Sequence, residues 1–244
     1  MSIIDFHVHA GKYHLLRDDI QALLQRKLHA PSEEASALFS NPAKLEAHLR
    51  SLGVDRAIVL AECGPGTNFS IDSAMIAEFC TGSSLLIPFG NINPCHHDVR
   101  TEFDKSLTLG VRGFKFYPAE HGFDPFSFDM RHVYCECAER GLPVMFHTGL
   151  SAQRDASQRH IHPRDFEPIC RDLPGLILIL AHAGRPHWYE DACQLALEYP
   201  NLYLDTGLLR AEEIERCLSF TPSVRHKLLF GSDWPICGSY STHI

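Results

Sequence analysis

The chain has 244 residues, 45% of them hydrophobic, with Lys+Arg 22 against Asp+Glu 30 for a net charge of −8. That size suits one globular domain, 1–244, with a large core. The acidic balance argues against nucleic acid or an anionic membrane surface as the main partner and fits a small-molecule substrate better.

The first strand signal, SIIDFHVH, follows no basic segment with a long apolar stretch behind it, and no later run approaches the ~20 apolar residues of a membrane span. A soluble, cytoplasmic protein is expected, with no membrane partner. Within this strand Ile4, Phe6 and Val8 alternate with Asp5, His7 and His9. Strand periodicity then turns the apolar set toward covering helices and sends His7 and His9 into the interior. Two imidazoles at i and i+2 can reach one cation, and their chemistry suits zinc or another transition metal.

From Gly11 to about Ser40 the sequence reads as a long loop, of the kind that forms a lid or binding wall. Asn41 then caps a helix with Pro42 at its first position, and Gly53, Gly82, Gly110 and Gly141 stand where successive helices end. Between them fall the strand signals DRAIVLAE, SLLIPFGNI, VRGFKFYP and LPVMFHTG. His96 and His97 read as the surface start of a helix. In VRGFKFYP, Phe114 and Phe116 face helices, so Lys115 points inward with Tyr117. In LPVMFHTG, Val144 and Phe146 face helices while Met145 and His147 point inward.

A second long loop, LSAQRDASQRHIHPRD, carries Arg154, Arg159, His160 and His162, which could receive an anionic group. The sixth strand, GLILILAH, places Leu178, Leu180 and His182 on one face, and Arg185 after it can hold a carboxylate bidentately. NLYLDT follows, then KLLFGSD, where Leu229, Gly231 and Asp233 face inward. A buried ionised carboxylate there needs a cation or strong donors. Nine cysteines, an odd number without CxxC spacing, read as reduced thiols.

Eight strands alternating with helices imply a parallel sheet buried on both faces, and a closed (β/α)8 TIM barrel suits eight repeats. An open doubly wound sheet would call for a glycine-rich loop after the first strand, where His-x-His stands instead. After Asp233 only WPICGSYSTHI remains, so the eighth helix is expected to be short or missing. A partner subunit, in a homo-oligomer, or a further segment would then cover that seam.

The motifs IDFHVHAG, PVMFHTG, LAHAGR and LLFGSDWP, in that order, resemble the amidohydrolase superfamily, and in particular its amidohydrolase 2 branch of hydrolases and non-oxidative decarboxylases. The resemblance runs from Asp5 to Pro235. It implies that His7, His9, His147 and Asp233 bind the metal. His182 is then an acid/base or electrophilic group, or a ligand of a second metal. Asp233 doubles as proton acceptor, and Arg185, Tyr117, Trp234 and Lys115 are candidates to contact substrate. One divalent ion per chain is expected, zinc by preference, with Lys115 an unmodified ammonium, although binuclear relatives carry a carboxylated lysine on this strand. Hydrolysis of a C–N or C–O bond, decarboxylation, and a metal-binding barrel without turnover all remain compatible with these residues.

Replacing His182 by Asn separates its possible roles. As an acid/base group it should cost about 10²–10⁴-fold in turnover with the metal retained. Loss of metal in step with rate, measured by elemental analysis of the purified variant, would make His182 a ligand instead.

Overall fold

The computed structural model describes residues 2–64, 67–151, 156–157, 159–220 and 222–238. Arg154 lies outside them. All eight expected strands form: β1 (Ile3–Val8), β2 (Val54–Leu60), β3 (Leu86–Phe89), β4 (Phe114–Phe116), β5 (Val144–His147), β6 (Leu178–Ala181), β7 (Leu202–Asp205) and β8 (Leu228–Leu229). All neighbouring pairs are parallel, as two sheets, β1-β2-β3 and β4 to β8 in order. Backbone hydrogen bonds span both gaps between the sheets. Lys115 N–H donates to the Gly90 carbonyl at 2.8 Å, and Phe6 and His9 N–H donate to the Phe230 and Trp234 carbonyls at 2.8 and 2.7 Å. The strands thus complete the ring of a (β/α)8 TIM barrel.

Inside the ring lie Ile58, Leu60, Phe89, Met145, Ile179 and Ala181, with Phe6 and Leu229 against them. Outside it, Phe114, Phe116, Val144, Phe146, Leu202 and Leu204 pack under the helices of the second half, and Val8, Ala57 and Val59 under those of the first. Two strands depart from simple alternation. Phe6, expected toward the helices, packs inside. In β1 Asp5 pairs with Ala57 and Val8 with Val59, so three steps of one strand face two of the other, and this bulge shifts the phase between Asp5 and Val8. In β6 it is Ile179 and Ala181 that face inward, while Leu178 and Leu180 face helices. His182 reaches the interior side by leaving the strand, at φ +62°.

The stretch expected as an open loop between Gly11 and Ser40 folds instead into α1 (Asp18–Leu28) and α2 (Ser32–Ser40). Ile20 and Leu24, four residues apart on α1, and Ala35 and Phe39 on α2 are buried, so helical spacing hides one face of each. Asn41 caps α3 (Pro42–Ser51) by accepting the Lys44 N–H at 3.0 Å. Helices α4 (Ser73–Cys80), α5 (Val99–Thr108), α6 (Pro118–His121), α7 (Phe128–Arg140), α8 (Glu167–Asp172), α9 (Tyr189–Glu198) and α10 (Ala211–Phe220) complete the cover. Asp98 caps α5, with the exposed His96 just before it.

No helix follows β8 among the described residues. Trp234, fully buried, fills the seam and packs with Ile236 and Cys237 onto the core beneath the first helices. All nine cysteines are free thiols, and no helix is long and apolar enough to cross a membrane among the described residues.

Asp5 ties the two chain-distant strands of this seam together. Its carboxylate accepts the His7 N–H (2.9 Å), the Ser232 N–H (3.0 Å) and the Ser232 hydroxyl (2.6 Å), all buried. Replacing Asp5 by Ala strands two buried backbone N–H donors and leaves the Ser232 hydroxyl the His7 carbonyl at 3.3 Å, and at ~1–3 kcal/mol for each unsatisfied group the variant should lose about 2 kcal/mol or more of stability. A denaturant midpoint that corresponds to less than about 1 kcal/mol of loss would refute this role.

Candidate active site

At the carboxyl ends of the strands lies a cavity of about 350 Å³. His7 enters from β1 and His9 from the residue just after it, His147 from the last residue of β5, His182 from the turn after β6, and Asp233 from the turn after β8. Asp233, like His182, stands at φ +62°, a conformation that costs a residue with a side chain and is held here by the surrounding structure.

Three of the four residues expected to hold metal converge. The Nε2 atoms of His7 and His9 lie 3.4 and 3.2 Å from Asp233 Oδ1, and one ligating atom from each residue falls within 4.8 Å of the others. His147 belongs to neither candidate metal group. Its Nε2 instead faces Glu120 Oε1 at 3.3 Å. Burial lowers the His9 pKa to about 4, despite the opposing pull of Asp233. Burial likewise holds His147 and His182 well below the ordinary imidazole range. Burial alone would raise the Asp233 carboxyl, but His7 and His9 outweigh it and keep the group well below the carboxylate range. The cavity therefore presents the neutral imidazoles of His9, His147 and His182 beside an ionised Asp233, protonation states that suit metal binding.

Behind His7 stands Asp205, at the end of β7, fully buried. Its Oδ2 accepts the His7 Nδ1–H at 2.8 Å, and its Oδ1 accepts the Gly207 N–H. This bond fixes the tautomer, leaving the His7 Nε2 lone pair toward Asp233. Two glycines make room for it. A Cβ on Gly231 would sit 2.5 Å from Asp205 Oδ2, and one on Gly207 would sit 2.7 Å from Oδ1. A second possible group, His7, His182 and Asp205, is a weaker candidate, since Asp205 already spends its oxygens on His7 and Gly207. His182 Nδ1 lies 2.9 Å from the Gly207 carbonyl and donates to it, so its Nε2 carries the free lone pair.

Among the residues expected to contact substrate, Arg185 and Tyr117 line the cavity. The Tyr117 hydroxyl donates to the Ala61 carbonyl at 3.3 Å, and its ring lies 6.0 Å from that of His147. Lys115 and Trp234 are not among the lining residues. Lys115 is fully buried beneath Tyr117, its Nζ 5.2 Å from that ring and without a hydrogen-bond partner, and burial lowers its pKa. Trp234 points to the helix side, 5.9 Å from His48. In the second loop, His162 caps the turn that starts at Pro163 and faces Asp191 at 3.3 Å, away from the cavity.

Several lining residues escaped the reading of the sequence. Helix α1 supplies Ile20, Leu23 and Arg26, Arg17 lies just before it, and Phe69 stacks on the His9 ring at 4.3 Å. Glu62 follows β2 and Glu120 lies on α6. Burial raises the Glu62 carboxyl to about 8 although it accepts the Asn68 N–H at 2.7 Å. The signal for Glu62, Asp205 and Glu120 was positional: Glu62 and Asp205 close DRAIVLAE and NLYLDT at strand ends, and Glu120 follows VRGFKFYP by two residues.

The sequence matches the family model for amidohydrolase over residues 4–243. Among solved structures it is similar to an uncharacterized TIM-barrel protein from Bordetella bronchiseptica, at 20% identity and a TM-score of 0.77, covering 98% of this chain and 88% of that one. A 5-carboxyvanillate decarboxylase from Novosphingobium aromaticivorans, complexed with manganese, superposes at 0.65 with 14% identity over 98% and 88% of the two chains. A probable 2-pyrone-4,6-dicarboxylic acid hydrolase from Acinetobacter baumannii with citric acid bound gives 0.62 and 14%, over 100% and 88%. No curated protein matches the sequence significantly.

Replacing Asp205 by Asn removes the acceptor that fixes the His7 tautomer. The variant should fold and weaken divalent metal binding by about 10–100-fold, the usual cost of losing a carboxylate behind a ligating histidine. Titration calorimetry that gives an unchanged dissociation constant would show that His7 needs no such orientation.

Proposed function

The chain belongs to the amidohydrolase family, and on that premise we propose that it is a metal-dependent hydrolase opening a C–N or C–O bond of a small, carboxylate-bearing substrate. The observation that carries this reading is the convergence of His7, His9 and Asp233, all buried, on one cavity of about 350 Å³. Two imidazoles and a carboxylate suit zinc or another divalent ion. His147 fits as the fourth donor, because its Nε2 is buried in the same cavity with no hydrogen-bond partner. Such an ion, when bound, polarises a substrate oxygen and acidifies a water molecule.

The chain's own groups divide the remaining work. His182, kept neutral by burial and holding its Nδ1–H on the Gly207 carbonyl, offers Nε2 as a proton acceptor. Asp233, held ionised beside His7 and His9, is the second acceptor. Arg185 supplies a planar fork for the substrate carboxylate at the cavity wall, with Arg26 from α1 also lining it. Phe69, stacked on His9, shields that imidazole from water.

A decarboxylase using the same site is the second reading, favoured by one observation. Glu62 lines the cavity and stays protonated up to a pH of about 8. It is therefore a ready donor to the carbon that loses carbon dioxide.

Mass analysis of products from a panel of carboxylated lactones, amides and aromatic acids separates the two. Addition of water supports hydrolysis, and loss of carbon dioxide selects the alternative. Metal removal should abolish turnover in either case. Replacing His9 by Ala should weaken metal binding more than about 100-fold, exceeding the cost of changes behind a ligand, with the fold retained by circular dichroism. Unchanged metal content in that variant would remove the metal assignment.

A further inference from the structure

Glu120 is a buried acidic group of the cavity to which the proposed function gives no role. Its side chain is 3% exposed and lines the cavity. Oε1 lies 3.3 Å from His147 Nε2, and Oε2 is buried with no hydrogen-bond partner. The nearby Lys115 ammonium does not bond to it, since Nζ is itself without a partner.

Three nitrogen–oxygen separations in the cavity are nearly equal: 3.2 Å for His9 and Asp233, 3.3 Å for His147 and Glu120, and 3.4 Å for His7 and Asp233. Two neighbouring donor atoms bound to one ion by bonds of about 2.1 Å at angles of about 90–120° stand roughly 3.0–3.6 Å apart. His147 and Glu120 are thus spaced as co-ligands, just as His7 and His9 are spaced from Asp233. The His147 nitrogen involved is Nε2, the one His7 and His9 also present to their carboxylate.

If His147 turned its Nε2 to an ion beside His7, His9 and Asp233 and Glu120 stayed behind, the carboxylate would lose its 3.3 Å contact with His147 while still buried. An uncompensated buried carboxylate is strongly unfavourable. The penalty disappears when the carboxylate follows His147 onto the same ion.

We infer that Glu120 is a further ligand of the metal, entering its coordination together with His147 and giving a set of three imidazole nitrogens and two carboxylates. The inference rests on the metal-dependent reading of the site. Two carboxylates balance the charge of a divalent ion, so a substrate carboxylate must find its own counter-charge at the arginines of the cavity wall. The oxygen-rich set also brings manganese and cobalt closer to zinc in preference than a single carboxylate would.

The test is Co(II) binding to metal-free protein, followed by calorimetry and by visible absorption, for the wild type, Glu120→Gln and Glu120→Asp. A ligand role predicts that Glu120→Gln weakens Co(II) binding by more than about 100-fold. It also predicts that the d–d bands of the loaded variant intensify, as a lower coordination number requires. Should the Gln variant fail to fold, Glu120→Asp decides the matter, since its shorter carboxylate must shift both dissociation constant and spectrum. Weaker binding with an unchanged Co(II) spectrum overturns the inference and leaves Glu120 as a support for His147. Unchanged affinity and spectrum overturn it outright. A wild type that binds no Co(II) overturns the metal-dependent reading and this inference with it, whereas normal wild-type binding confines any failure to Glu120.

Discussion

The contact on which both fold and site depend is the seam between β1 and β8, residues more than two hundred positions apart in the chain. Ser232 donates twice to Asp5, and the Asp233 N–H donates to the His7 carbonyl at 2.8 Å. The same few bonds therefore close the ring of strands and bring the Asp233 carboxylate against the imidazoles of His7 and His9. Neither sheet contains all three residues by itself. Closure order matters energetically: loop-closure entropy for so long a separation must be recovered by contacts made only at the end. The buried Asp5 network, with the Val8 and Trp234 packing behind it, is where that recovery happens.

Much of this was legible in the sequence because the relevant signals are local. Strand runs bounded by polar residues, glycines at helix ends and the Asn41-Pro42 start each depend on neighbours within a turn. The inward position of Lys115 and His147 follows from period-two alternation in undistorted strands. Alternation fails where tertiary structure breaks it. The bulge in β1 turns Phe6 inward, and His182 and Asp233 reach the cavity through left-handed backbone rather than through strand phase. For His182 the expected outcome was right while the route was not, since Leu178 and Leu180 lie on the opposite face.

Residues that act through other residues were the least visible. Asp205 closes a strand, as His147 does, but a single carboxylate at a strand end carries no sign of the His7 Nδ1 it will meet. Glu120 falls on a four-residue helix whose placement depends on the whole of β4 and β5. Trp234, expected among the residues that contact substrate, follows Asp233 in the chain. A residue's neighbour in an extended or turning segment points elsewhere, and here it anchors the seam. The region between Gly11 and Ser40 read as a loop although Ile20, Leu23, Leu24 and Leu28 stand at helical spacing, and α1 and α2 bury Ile20, Leu24, Ala35 and Phe39 once a barrel offers a surface to cover.

Helix α1 combines two properties that rarely coincide. It supplies a stretch of cavity wall, from Asp19 through Ile20 and Leu23 to Arg26, and it contributes no strand to the ring and no donor to the His7, His9 and Asp233 cluster. Ile20 and Leu24 are its buried residues, with Leu28 packed beside them and Gln25 bonded to Tyr13. It behaves as a cassette: its outward-facing chemistry can be rewritten while the catalytic floor keeps its geometry. Diversification of what this barrel accepts, in nature or in a laboratory library, has its shortest path through those eleven residues.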